Sequence, residues 1–305
     1  ILDPGTDTAS GSGVVNAAGA VDVPETPPSV EVDVDPTDLS GDGTESNPYE
    51  ISNASELQAM EDDLTANYQL VSNINASNTA QWNDQRGFDP VGEDPFNEGS
   101  SVAFSGSLDG NGFTITGLTI DRSTRAVGFS TGAVGLFGAT DEEALLRDIS
   151  LTGMTITGEE NVGGVVGVNF GTIRAATASG DVTGSGEFNT GGLVGFAGNE
   201  SLIQNATASV SVTGTNATGG VAGQNRGTIQ TATAFGDVSG SGRFNVGVLV
   251  GSADNQSAIQ HVTASGDVHG PDLVGGVVGQ SRGTITNASA YGDVSGGDTT
   301  GGRVS

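Results

Sequence analysis

The sequence predicts an all-β fold, a single-stranded parallel β-helix wound from 28-residue rungs, and three observations carry that expectation. The first is a period. A Gly-Gly-aliphatic-aliphatic-Gly phrase stands at 163–167 and 191–195 and returns with substitutions at 219–223, 247–251 and 275–279, so Gly163, Gly191, Gly219, Gly247 and Gly275 follow one another every 28 residues. A fixed period of this size marks stacked copies of one small unit that can bury its apolar face only against its neighbours. The second is a compensation. Odd copies run from Gly167 to Ile173, Gly223 to Ile229 and Gly279 to Ile285; even copies take two residues more, from Gly195 to Ile203 and Gly251 to Ile259, and recover them in the closing turn, where Gly184 to Gly191 is seven steps but Gly214 to Gly219 is five. A constant total with shifting loops is what a closed rung requires, and a string of separate domains would not need it. The third is the composition of a copy: three apolar phrases, Gly-Gly-aliphatic, Thr-Ile-x-x-Ala-Thr-Ala and Asp-Val-Ser/Thr, read as three short strands with glycine, 51 of 305 residues, at the corners. Rungs paired in parallel rise about 4.8 Å each, so five span roughly 24 Å. Right-handed coiling is expected, because parallel crossovers are almost always right-handed.

Taken in order, residues 1–40 read as the remnant of a preceding domain followed by an acidic linker with Pro24, Pro27 and Pro28. Residues 41–160 read as a lead-in with the first rungs. It opens on a short capping helix near 53–64, where Asn53 with Glu56 forms a capping-box-like start and Leu57, Met60 and Leu64 share a face. Strands are expected over 68–74, 102–108 and 113–120, the last two joined by a tight turn through Asp109, Gly110, Asn111 and Gly112. Residues 161–305 hold the repeats, broken off as a sixth copy begins at Gly301. Without an initiator Met, the chain reads as part of a longer polypeptide. Phrases at 180–182 and 236–238, with Phe188 and Phe244, lie 56 residues apart, which points to a duplicated two-rung unit.

Two resemblances follow from these residues. The stretch 41–138, from Gly-Asp-Gly-Thr-x-x-Asn-Pro-Tyr through Ser107-Leu108-Asp109-Gly110-Asn111-Gly112-Phe113 to Gly135-Leu136-Phe137-Gly138, resembles the lead-in of GLUG-repeat proteins. The later copies, such as Gly192-Leu193-Val194-Gly195, resemble the repeat itself. The resemblance implies a secreted or cell-surface protein; the motif also occurs beside metallopeptidase domains that cleave immunoglobulin A, but no His-Glu-x-x-His stands in this chain. Residues 13–21 resemble the closing helix of subtilisin-like protease domains; that family's catalytic motifs are missing here, so no catalytic role carries over.

Charge narrows the partners. The formal net charge is −28, from 37 acids against nine basic residues, all arginine. Such a surface repels itself unless salt screens it, and at 1 M the screening length is about 3 Å, which suits a halophile's protein. Nucleic acid and anionic membrane are poor partners for it. No cysteine is present, so disulfides and thiolate chemistry are excluded. No apolar stretch is long enough to insert into a membrane, and no signal peptide is visible.

The one column of candidate chemistry is Asp181, Asp237, Asp267 and Asp293, with Ser211 at the same position in the remaining copy. Carboxylates on neighbouring rungs could gather calcium, an oxygen-seeking cation. Because these acids are the repeat and not departures from it, we read them as strand ends on a solvated acidic face. His261 and His269 read as surface residues, and Asp33, Asp35, Asp38 and Asp42 as linker rather than a calcium loop. Seven Asn-x-Ser/Thr sequons occur, at Asn53, Asn75, Asn199, Asn205, Asn216, Asn255 and Asn287; Asn199 and Asn255, in the longer even-copy loops, are the glycosylation candidates. The expected function is a non-catalytic extracellular or cell-surface region, an adhesion surface or rigid spacer that needs no cofactor and contacts surface glycans, surface proteins or itself. The alternative is an accessory region of a secreted hydrolase, either protease or polysaccharide-degrading.

Overall fold

The computed structural model describes residues 38–92, 102–123, 132–242, 244–296 and the strand Thr300–Gly301. The linker, the subtilisin-like phrase, Asp33 and Asp35 lie outside the described residues.

The fold is a parallel β-helix. Every strand-to-strand ladder is parallel, and the strands form sheets of 17, 7 and 6 members. The glycine phrase keeps its 28-residue step: Gly163 pairs with Gly191, Gly191 with Gly219, Gly219 with Gly247 and Gly247 with Gly275. In the 17-stranded sheet the register carries Ile173 to Ile203, Ile203 to Ile229, Ile229 to Ile259 and Ile259 to Ile285, steps of 30, 26, 30 and 26. The two-residue trade between loops is therefore a physical property of the rungs. Inward positions stack like on like: the Ile column at 173, 203, 229 and 259, the Ala column at 178, 208, 234 and 264, and the Val column at 182, 212, 238 and 268 are all buried, while Ile285 on the last rung is exposed.

Two elements of a rung differ from expectation. The Gly-Gly-aliphatic phrase is two strands, not one. Thr190–Gly191 belongs to the 7-stranded sheet and Val194–Ala197 to the 6-stranded sheet. The chain folds back between them so closely that a Cβ on Gly195 would stand 2.7 Å from the backbone of Asn161, Val162 and Gly167. Glycine is thus required by contact between two layers of main chain. Conversely, one corner has no glycine. Ala175, Asn205, Thr231, His261 and Asn287 form a register column with φ between 52 and 56. A single left-handed residue there slips the alternation by one, so that Ile229 and Ala232, three apart, both face the core.

The lead-in closes one end. Asn53 caps helix α1 (Ala54–Gln58) by accepting from the backbone N–H groups of Ser55 and Glu56, and Glu56 reaches back to Ser52. The helix passes into a 3₁₀ turn (Ala59–Glu61) and stops before Leu64, because Asp63 turns its carboxylate onto the N–H and hydroxyl of Thr65. Leu57 and Met60 enter the main core. The segment expected at 68–74 is interrupted into Asn67–Leu70 and Ile74–Asn75, the one at 102–108 shortens to Ser107–Asp109, and the one at 113–120 divides at Gly117 into Ile115–Thr116 and Thr119–Asp121. The turn at Asn111 and Gly112 has the positive φ values expected, 49 and 77, yet it joins no hairpin. Ser107–Asp109 and Ile115–Thr116 pair in parallel with other rungs, so the turn is a bulge on one rung.

Candidate binding face

The Asp column lies where the rung bends between the Thr-Ile-x-x-Ala-Thr-Ala strand and the short strand exemplified by Val238–Gly240. Asp181 pairs with Ser211, and the register through Val212, Val238, Val268 and Val294 brings Asp237, Asp267 and Asp293 into line, all exposed. Asp181 and Ser211 stay within the ladder, but at Asp237, Asp267 and Asp293 the backbone leaves it, and two carboxylates bridge the gap. Asp237 Oδ1 accepts the backbone N–H of Asp267 at 3.0 Å, and Asp267 Oδ1 accepts that of Asp293 at 2.7 Å. One oxygen of each is therefore committed to the rung above. Among the described residues no group of three or more His, Cys, Asp or Glu is placed to hold a metal ion.

Two residues further on, Thr183, Thr213, Ser239, His269 and Ser295 form a second column, and His269 Nδ1 is 3.0 Å from Ser295 Oγ. His261 stands in the left-handed column instead, its Nε2 3.0 Å from Asn287 Nδ2, so the two histidines serve different columns. This face is rimmed by aromatic rings. Phe235 and Tyr291 are 54% and 60% exposed at its first edge, and Phe188 and Phe244 are 51% and 55% exposed at its second. Within each pair the two residues are 56 positions, hence two rungs, apart. The Phe188 and Phe244 phrases were legible as a repeat; the exposure of all four rings was not.

A cleft of about 370 Å³ opens on another corner, lined by Asn199, Arg226, Asp254, Asn255, Gln256 and Arg282. Both glycosylation candidates line it and are exposed. Asp254 Oδ2 accepts from Arg226 Nε at 2.7 Å and from Gln224 Nε2 at 3.0 Å, and the Arg226 guanidinium lies 5.0 Å from the centre of the Phe196 ring. Sequence reasoning passed over both arginines, although a signal exists. In the preceding two-rung unit the positions of Arg226 and Asp254 are held by Phe170 and Gly198, where the ring covers a glycine whose Cβ would collide with it; 56 residues on, both change together into an ion pair.

The lead-in holds the third polar cluster, which the repeats do not predict. Arg122 is fully buried and donates to the carbonyls of Arg86, Asp121 and Phe88 and to Asp89 Oδ1 at 2.8 Å. Glu61 is pushed up to about 8 by burial and by the nearby carboxylates of Asp89 and Asp62. Tyr68 is raised by burial, and Asp42 is lowered by the hydrogen bonds of Thr44.

Comparisons place this geometry. The GLUG motif matches residues 158–183 and 186–213. Halomucin of Haloquadratum walsbyi is 40% identical over 152 residues, 48% of this chain and 2% of halomucin. A protein of Evansella cellulosilytica described as a Gly-rich membrane protein is 35% identical over 138 residues, 44% of this chain and 14% of that protein. The chain thus spans a small part of the length of these relatives. Among solved structures, a Bacteroides ovatus protein named for immunoglobulin A1 protease superposes with a TM-score of 0.65 at 20% identity over 86% of both chains. Another IgA1 protease superposes with a TM-score of 0.56 at 18% identity, over 84% of this chain and 20% of that one. At these identities the likeness shows the fold alone. The chain carries the GLUG motif between residues 158 and 213, is similar over about half its length to halomucin, shares a halophile's acid-rich composition and is wound as a parallel β-helix.

Proposed function

We propose that this region is a non-catalytic extracellular or cell-surface segment that acts as a rigid spacer and presents an adhesive face to glycans or other surface proteins. The observation that carries the reading is the use made of the carboxylates. The column best suited to chemistry spends an oxygen of each bonded acid on the backbone of the next rung, while the same face carries a recurring aromatic rim. Parallel ladders in all three sheets resist bending, because each rung is hydrogen-bonded to the next on every side, and this suits a spacer. Similarity to halomucin over about half of the chain supports a place at the cell surface. The acidic surface favours partners that do not depend on negative charge.

The rival reading, an accessory region of a secreted hydrolase, draws on the folds of the protease-named neighbours. The two are separated by incubating the folded chain in molar salt with a panel of polysaccharides and surface proteins, following retention and the release of reducing ends or peptides together. Retention without cleavage is expected. Turnover that survives repurification would sink the non-catalytic reading.

A further inference from the structure

We propose that Phe235 and Tyr291 are two stacking platforms for an extended, neutral, β-linked polysaccharide lying along the axis of the β-helix. The proposal rests on the adhesive-face reading and names its ligand class. Large apolar side chains in this fold are overwhelmingly inward, yet these two rings are more than half exposed at the same register position of two rungs. The residues that share the column are Ser209 below Phe235 and Ser265 between the rings, so no neighbour in the column covers either ring face. Backbone hydrogen bonds fix the stacking: Phe235 donates to Ala208, Ser265 to Ala234 and Tyr291 to Ala264, at 2.8, 2.8 and 2.7 Å. Two rungs of a parallel sheet separate the rings by about 9.6 Å.

That spacing selects a ligand. A flat β-1,4-linked glucan turns each sugar over relative to the last, so the same C–H face returns every second residue, at a repeat close to two rungs. Rings at one-rung spacing would meet no such period, and the serine at position 265 removes the ring that would create it. Hydroxyl groups at the edge of the sugar would meet the Asp column two residues along, where Asp237 and Asp267 each have one oxygen committed and the other without a hydrogen-bond partner among the described residues. A chain with a net charge of −28 repels anionic polysaccharides, and molar salt that screens charge strengthens apolar contact, so a neutral glycan fits both conditions.

The test is binding of a β-1,4-glucan hexasaccharide in molar salt, measured by ligand-observed NMR and calorimetry on the whole chain. Phe235→Ala with Tyr291→Ala should weaken binding about tenfold or more, the equivalent of about 1.4 kcal/mol. Val102→Ala, at an exposed apolar residue of the lead-in, should leave it unchanged, and the conservative exchange Phe235→Tyr with Tyr291→Phe should retain it. Ser265→Tyr, which halves the ring spacing, should weaken it while leaving the circular dichroism spectrum intact. No binding by the parent chain, equal loss in Val102→Ala and in the Phe235 and Tyr291 alanine pair, or undiminished binding by Ser265→Tyr would overturn the proposal. If the hexasaccharide fails while other glycans or surface proteins are still retained, the adhesive face stands and this ligand class falls.

Discussion

Between residues 38 and 123 the core is filled by Tyr68, Trp82, Phe88 and Phe104, whereas from 161 onward the main core holds only alanine, valine, leucine and isoleucine. Aromatic contacts run through the first region: Tyr49 to Tyr68 at 5.6 Å, Tyr68 to Phe104 at 6.3 Å and Phe104 to Phe137 at 4.8 Å between ring centres. The difference follows from what each region packs against. A repeat meets a copy of itself, so every inward side chain must be small enough to tolerate its own kind one rung away. The lead-in has no such copy beneath it and closes the core with large side chains, a short helix and a buried arginine. Periodicity dictates size; its absence permits shape.

That contrast is broken most severely at Phe104, which joins the cap to the first repeats. Phe104→Ala should cost about 3–5 kcal/mol, as other buried aromatic truncations do. Urea unfolding in molar salt measures the loss, and hydrogen exchange should place it at the lead-in, with the later rungs still protected. In the repeats the sensitive position is one with no side chain at all. Gly195→Ala would press a methyl group into three backbone atoms at 2.7 Å. Overpacking of this kind costs about 1–3 kcal/mol, and the exchange pattern should reverse: rungs on both sides of 195 open while the aromatic cap holds.

Legibility in the sequence follows the same division. The repeats were readable because one residue type recurs at one place: Gly191 and Gly219, Ile203 and Ile229, Ala208 and Ala234. The lead-in helix was readable from Asn53 and Glu56, but its end and the interrupted strands depend on local turns, such as that of Asp63, that carry no period. Arg122 was invisible because its partners are three carbonyls and Asp89, brought together only by the fold. On the candidate face the Asp column was predicted in register, while its work as a backbone acceptor was not, since a carboxylate at a bend and one at a solvated strand end look alike in sequence. The bend without glycine was encoded, in the three-residue step from Ile229 to Ala232, but the reading assigned corners to glycine and missed it.

The left-handed column sharpens the comparison by a smaller amount. Asn205 and Asn287 tolerate their φ of 56 and 52, but Thr231, branched at Cβ, holds 56 at a cost. Replacement by asparagine should stabilise the chain by about 1 kcal/mol, the scale of the left-handed penalty. The same change at Thr233, an ordinary strand position on the same rung, should stabilise nothing. Equal urea midpoints for Thr231→Asn and the parent would show that the column carries no strain.

The smallest effect belongs to the cap and depends on pH. Glu61 is raised from 4.5 to about 8, first by burial and then by Asp89 and Asp62. An acid whose native pKa lies above its unfolded value holds more protons in the folded state between the two, so its contribution to stability is fully present below about 4.5 and is lost as pH rises through about 8. Glu61→Gln keeps a neutral side chain throughout. The variant and the parent should therefore unfold alike near pH 4 and diverge towards pH 8, with the variant the more stable. Although its carboxyl is desolvated by its neighbours, Glu61 as a residue is exposed, so solvent screens the change and its size falls below that of the other three. Parallel pH dependence of Glu61→Gln and the parent between pH 4 and pH 8 would show that the lead-in carries no such penalty.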